Sequence, residues 1–284
     1  MAQQFTNQAQ LSYQNTVISS NVVVGEITEV LSVTKAAVQE QYTAGEHVTY
    51  VVNLINSGTT VLTDLTLTDD LGSFTDETGT YVPLSYSEGT LLVFINGVAQ
   101  PAPTVTQTDP LTVTGLTVPA GGETTLVYEA NVNGYASPTA DSEITNTATL
   151  TGGGIGPTSA SATVGVANGP ILSIEKSVAP IPVSENGTVT YTFLILNRGN
   201  AEATAADNLS VTDTFAPVLS DLTVSYNGTA RAVGTNYTYD GSTGLFTTVP
   251  GQITVPAATF TREADGSWIA VPGTAVVTVS GKIS

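Results

Sequence analysis

The sequence predicts an all-β protein made of two tandem β-sandwich domains preceded by an N-terminal strand arm. Three observations carry that prediction. Thr, Val, Gly, Asn and Ser dominate a chain in which only 11% of residues are charged, and no segment keeps a helical 3.6-residue apolar period. Most of the chain is written twice. And the segment that closes the first copy of the repeat has its own duplicate at the very start of the chain, ahead of any domain.

Taken in order, residues 1–29 read as an arm and linker. Phe5–Ser12 and Thr16–Val24 alternate like strands and are joined at Gln14-Asn15. Phe5-Thr6-Asn7-Gln8-Ala9-Gln10-Leu11 copies Ile144-Thr145-Asn146-Thr147-Ala148-Thr149-Leu150. In a strand, Phe5, Asn7, Ala9 and Leu11 share one face, as do Ile144, Asn146, Ala148 and Leu150. Val22 and Val24 are expected to complete the apolar face of the arm. The later copy continues through a bend at Gly152–Gly156 into Thr158–Val166.

Residues 30–166 form the first predicted sandwich, 167–169 a linker, and 170–284 the second sandwich. Leu31-Ser32-Val33-Thr34-Lys35 matches Leu172-Ser173-Ile174-Glu175-Lys176, and Val48-Thr49-Tyr50 matches Val189-Thr190-Tyr191 at the same offset. Asn56-Ser57-Gly58 matches Asn197-Arg198-Gly199, and Leu65–Asp69 matches Leu209–Asp213. Asn96-Gly97 and Asn227-Gly228 each mark a two-residue hairpin. Leu116–Ala120 matches Ile253–Ala257, and Thr124–Val132 matches Thr274–Ile283, the penultimate strand. The first domain then reaches its closing strand at 144–150, whereas the second is expected to lack one. The missing strand is expected to come from the arm of another copy. Folding back onto the chain's own second domain would take the arm past the whole first domain.

Composition bounds the partners. A net charge of −18 with six Lys plus Arg argues against nucleic acid and anionic membrane. There is no Cys, hence no disulfide framework or thiolate chemistry. No run is long and apolar enough to span a bilayer, and Met1-Ala2-Gln3-Gln4 does not read as a secretory leader. Either a leader has been removed or export follows another route.

The pattern of an apolar strand ending in Lys, then V-T-Y, N-x-G, L-x-V-T-D and I-T-N-T-A-T resembles a repeat domain of bacterial and archaeal surface proteins, a numbered domain of unknown function. The resemblance covers both halves and implies an immunoglobulin-like sandwich and an extracellular place on a cell or spore surface.

The same alternation turns three polar residues inward in the first domain: Lys35 on the first strand, Asp69 on a middle strand and Asn146 on the closing strand. In the second domain Lys176 and Asp213 take the first two places, and the third falls to Asn7 of a neighbouring chain. Buried charges must meet partners. Such a trio resembles the isopeptide sites of Gram-positive pilins and adhesins, and that resemblance implies Lys35–Asn146 and Lys176–Asn7 amides with Asp69 and Asp213 as proton-transfer groups. Burial favours a neutral, nucleophilic amine and a protonated acid. The alternative is a buried Lys–Asp ion pair completed by Asn, but a plain ion pair gives no reason for a third inward polar residue.

Other candidates are weaker. His47 beside Glu46 reads as an exposed strand start, and Gly152–Gly154 as a bend. Asp69-Asp70 and Asp76-Glu77 could attract a cation, but scattered surface acids account for them, and no metal or cofactor is expected. Asn186, Asn208, Asn227 and Asn236 open N-x-S/T triplets, and Trp268 reads as a local packing anchor. No catalytic pair supports a turnover enzyme. The expected function is therefore a self-polymerising structural subunit of an extracellular filament, with a monomeric ligand-binding surface module as the alternative.

Overall fold

The computed structural model describes residues 3–27, 30–101 and 103–283. The arm folds into one hairpin of four short strands: β1 (Gln3–Asn7), β2 (Gln10–Tyr13), β3 (Thr16–Ser19) and β4 (Val23–Ile27). β1 pairs antiparallel with β4, and β2 with β3. Gln14 and Asn15 both have positive φ (47° and 66°), the conformation that a tight two-residue hairpin requires. The register slips by one residue between the two halves, since Asn7 faces Val23 but Gln10 faces Ser19. Every side chain from Phe5 to Val24 is exposed, so neither sandwich covers the arm.

That register corrects one sequence expectation. Directly paired residues share a face, and Val24 lies opposite Thr6, away from the Phe5 and Asn7 side. Val22 lies just before β4. Val23 and Gly25, opposite Asn7 and Phe5, are the residues on that face. An unbroken alternation would put Val22 and Val24 on that face; the slip shifts it by one.

The first sandwich begins with β5 (Leu31–Ala37), β6 (Gln41–Tyr42), β7 (His47–Asn56) and β8 (Leu62–Asp69). After the short β9 (Phe74–Thr75) and β10 (Thr80–Tyr81) come β11 (Leu84–Tyr86), β12 (Leu92–Ile95), β13 (Val98–Gln100), β14 (Thr104–Thr108) and β15 (Leu111–Val118). It ends with β16 (Glu123–Val132), β17 (Glu143–Gly152) and β18 (Ile155–Val166). One sheet has the order β13-β12-β16-β7-β5, and the facing sheet β14-β15-β8-β17-β18-β6. Alternation of buried and accessible residues along β7, β8, β16 and β17 places one side of each strand in a single core from Leu31 to Val166. The β17–β18 hairpin completes that core: β17 hydrogen-bonds along β8, and β18 lies across β5.

The second sandwich contains β19 (Leu172–Ala179), β20 (Thr188–Asn197), β21 (Thr212–Thr214), β22 (Leu219–Tyr226), β23 (Thr229–Arg231), β24 (Tyr237–Asp240) and β25 (Leu245–Thr248). A hairpin of β26 (Thr259–Arg262) and β27 (Trp268–Val271) precedes the long final strand β28 (Gly273–Ile283). The larger sheet runs β19-β20-β28-β22-β23 and faces a three-stranded sheet, β21-β25-β24. Both predicted Asn-Gly hairpins are present, with Asn96 and Asn227 at φ 48°. Asn56 and Asn197 are fully buried, and each carboxamide ties together the loop after its strand: Gly58 N–H donates to Asn56 Oδ1 and Gly199 N–H to Asn197 Oδ1, both at 2.9 Å.

The two sandwiches differ where the sequence repeat stops. β8 is paired on both sides, by β15 and β17, whereas β21 pairs only with β25 among the described residues. The inner face of the first strand is consequently bare in the second domain. Leu31 is 8% exposed, while its counterpart Leu172 is 41% exposed and Ile174 54%.

Candidate functional site

In the first domain the three residues that alternation turned inward lie in one buried cluster. Lys35 enters from β5 of one sheet, and Asp69 from the end of β8 in the other. Ala148 on β17 is the direct cross-strand partner of Asp69, so Asn146 is the next inward residue along the same strand. Lys35 Nζ donates to Asp69 Oδ2 at 2.6 Å, and neither side chain has any solvent exposure. The other carboxylate oxygen accepts the Leu71 N–H at 3.1 Å.

Two tyrosines that sequence reasoning did not single out complete the cluster. Tyr128, inward-facing on β16 between Leu126 and Ala130, donates its hydroxyl to the same Asp69 Oδ2. Tyr50, directly opposite Tyr128 on β7, places its ring 4.8 Å from Lys35 Nζ. Alternation along Thr124–Val132 could have flagged Tyr128, because a buried phenol needs a polar partner. Asn146 is fully buried, and neither carboxamide atom has a hydrogen bond of normal geometry, nor has the Tyr50 hydroxyl. Both phenols lie close enough to Asn146 to feel it, since its carboxamide offsets part of the rise that burial gives their pKa values.

The electrostatics bear on the chemistry of Lys35. Loss of water pushes its pKa down, and the Asp69 carboxylate opposes that shift. Displacement towards the neutral amine is displacement towards the nucleophilic form. A lysine, an aspartate and a carboxamide without a hydrogen-bond partner thus share one buried cluster.

The second domain has an open version of this cluster. Lys176 forms an ion pair with Asp213, but the side chains are 43% and 19% exposed. Lys176 Nζ lies 4.8 Å from the Tyr191 ring and 5.7 Å from those of Phe193 and Phe215. No carboxamide reaches this pair among the described residues. Val279 stands opposite Tyr191, where Tyr128 stands opposite Tyr50, so the phenolic donor is also missing. Asn7 sits on the exposed arm together with Phe5, Ala9 and Leu11, and the structure does not bring it to Lys176 or Asp213 within one chain.

His47 is exposed at its strand start, as read from the sequence. Asp70 accepts the Gly72 and Thr147 N–H groups, and Asp76 those of Thr78 and Gly79. No cluster able to hold a metal ion occurs among the described residues.

Fold and cluster together define an all-β protein of two immunoglobulin-like sandwiches, one enclosing a Lys–Asp–Asn group and the other leaving its Lys–Asp pair open. No family model matches the chain, and no curated protein matches it. Among solved structures it is similar to the collagen-binding domain of a Staphylococcus aureus adhesin, with 16% identity over 49% of this chain and 99% of that one and a TM-score of 0.32. It is also similar to the pilus backbone RrgB of Streptococcus pneumoniae, with 14% identity over 88% of this chain and 49% of the other at 0.35. BcpA, the major pilin subunit of Bacillus cereus, matches at 15% identity over 98% of this chain and 74% of that one, again at 0.35. Similarity this loose is shared β-architecture and says nothing about what the chain does.

Proposed function

We propose that the chain is the structural subunit of an extracellular filament. It polymerises head to tail when the arm hairpin of one copy occupies, on the second domain of the next, the place that β17–β18 occupies in the first. The supporting observation is a match in shape between donor and acceptor. β21 offers a free edge, and β19 a bare face carrying Leu172 and Ile174, where the first domain has β17–β18. The arm is a ready-made hairpin in which Asn7 faces Val23, the register in which Asn146 faces Ala162. Its last strand leads into β5 after residues 28–30, much as β18 leads into β19 after residues 167–171.

Covering Phe5, Leu11, Val23, Leu172 and Ile174 would contribute on the order of ten kcal/mol, at ~1.5–3 kcal/mol per large apolar side chain. Main-chain pairing along β21 fixes the register. A head-to-tail contact of this kind does not close on itself, so it yields an open filament.

Docking delivers Asn7 to Lys176 and Asp213, as Asn146 is delivered to Lys35 and Asp69. In each site a proton first passes from lysine to aspartate within the pair; the lysine nitrogen then attacks the carboxamide carbon while the aspartate hydrogen-bonds to its oxygen. The C–N bond to the amide nitrogen breaks, and a lysine proton, relayed by the aspartate, leaves with it as ammonia. An amide replaces an amine and a carboxamide, with no redox partner needed.

The test is assembly of the purified chain followed by negative-stain microscopy and a boiled denaturing gel. Long threads and a ladder of covalent multimers are expected. Deleting residues 1–24 should abolish the threads, whereas Asn7→Ala and Lys176→Ala should leave threads that collapse to a monomer band. Threads from the arm-less variant would sink strand donation. A monomer band from untreated parent threads would sink the intersubunit amide alone.

A further inference from the structure

We infer that the β26–β27 hairpin clamps the two sandwiches of one chain together and that the joint between successive chains lacks this clamp. A fibre would then alternate stiff and bendable joints. The second half of this inference rests on the polymer proposed above; the first half concerns a single chain.

The hairpin is an addition to the repeat. Between the matching segments ending at Ala120 and Ala257 and the strands resuming at Thr124 and Thr274, the first domain has three residues, 121–123, and the second sixteen, 258–273. The extra residues pack against the first sandwich. Arg262 Nη1 donates to Asp76 Oδ2 at 2.5 Å, and its guanidinium lies 4.7 Å from the Tyr81 ring centroid and 5.8 Å from that of Phe74. Trp268 N–H donates to the Gly134 carbonyl at 2.9 Å, and the indole lines a cleft with Ala136. Gly266 at the hairpin tip is buried so closely against Tyr81 that an added Cβ would fall 2.0 Å from the ring.

The hairpin's two faces fit this role. Direct pairs put Phe260 with Ala270 and Arg262 with Trp268 on one side. The other side carries Ile269 and Val271, which are 51% and 59% exposed. Arg262 contributes on the first sandwich's side through geometry that a lysine could not copy, because it donates and stacks at once.

A second contact differs between the joints in the same sense. Asn200, three residues past the Asn197 loop anchor, donates to the Pro138 and Ala167 carbonyls at 3.1 and 3.3 Å and accepts the Gly169 N–H at 3.1 Å. It thus ties the interdomain linker to both sandwiches. Thr59 occupies the equivalent position in the first domain. A first domain docked behind another chain's second domain would therefore reach back with neither the hairpin nor this carboxamide.

The chain has no cysteine, so spin labels can be placed at will. Val98→Cys and Val233→Cys are exposed positions, one on each sandwich. Pulsed electron spin resonance on the single chain, with the arm deleted to prevent assembly, should give one narrow interlabel distance. Replacing residues 258–273 by Gly-Gly-Glu should broaden it at least twofold, and Asp76→Ala, which leaves the hairpin intact, should broaden it in part. Thermal unfolding run in parallel verifies that both sandwiches persist. A broad distribution in the unaltered chain, or an unchanged narrow one without the hairpin, overturns the clamp. In threads, bends should recur only once per two-domain subunit; bends at every sandwich would overturn the alternation. Absence of threads would count against the polymer and leave the single-chain result standing.

Discussion

At the scale of single residues, the two clusters set out what each sandwich can do. Lys35, Asp69 and Asn146 were legible because strand alternation assigns a face to every residue, and an inward charge is unusual enough to stand out. Tyr50 and Tyr128 were harder to see, since tyrosine in a sandwich core is ordinary until its hydroxyl is traced to a partner. The Asp69 carboxylate, held by Lys35, Tyr128 and the Leu71 N–H, has little freedom to rotate. Asp213 has the neighbouring Thr214 N–H and Lys176 but no phenol. The first-domain site should therefore react without help from another chain. Intact mass of the chain should fall short of the calculated value by one ammonia, and Asp69→Ala should restore it. A full calculated mass in the parent would leave Lys35 and Asp69 as an ion pair only.

At the scale of elements, the hairpins with Asn-Gly turns and the duplicated first strands could be placed from sequence because their signals are local. The β26–β27 hairpin could not, because its partners lie some 130 residues away or more and no repeat marks it. Trp268, read as a local anchor, is in fact shared with the other sandwich. β6 shows how a two-residue strand can matter. Tyr42 from this strand buries its ring in the first core and donates its hydroxyl to the Ser137 carbonyl at 2.6 Å. Burial pushes the phenol up to about 12. An unfolded tyrosine ionises near pH ~10, so between pH 10 and 12 the unfolded chain releases a proton that the folded chain keeps. Its contribution is therefore complete below pH 10 and fades as pH rises to 12. Denaturation midpoints should fall across that window, and Tyr42→Phe should flatten the fall in part, since Tyr50 and Tyr128 shift in the same direction. Equal slopes in the two proteins would rule out this role for Tyr42.

At the scale of the whole molecule, the fold class and the two-sandwich layout followed from repetition, which multiplies weak signals. The strand slip in the arm did not, because a bulge changes register without leaving a mark in composition. Twenty-four acidic residues against six basic ones make separate copies repel one another, so net charge opposes the polymer proposed above and strand pairing would have to outweigh it.

The place of Lys35 on the first strand of its sandwich, and of Asn146 on the last hairpin, also sets how the chain would carry tension. A pull along the chain enters the first sandwich at Leu31 and leaves at Val166. An amide between Lys35 and Asn146 would route that pull through a short covalent bypass and leave the 110 residues from 36 to 145 slack. Fully extended, that segment would span roughly 370 Å at ~3.4 Å per residue. Force–extension traces of single chains should thus lack about that length, and Asp69→Ala should give it back as one added unfolding step. If the parent already yields the full length, the bypass does not exist.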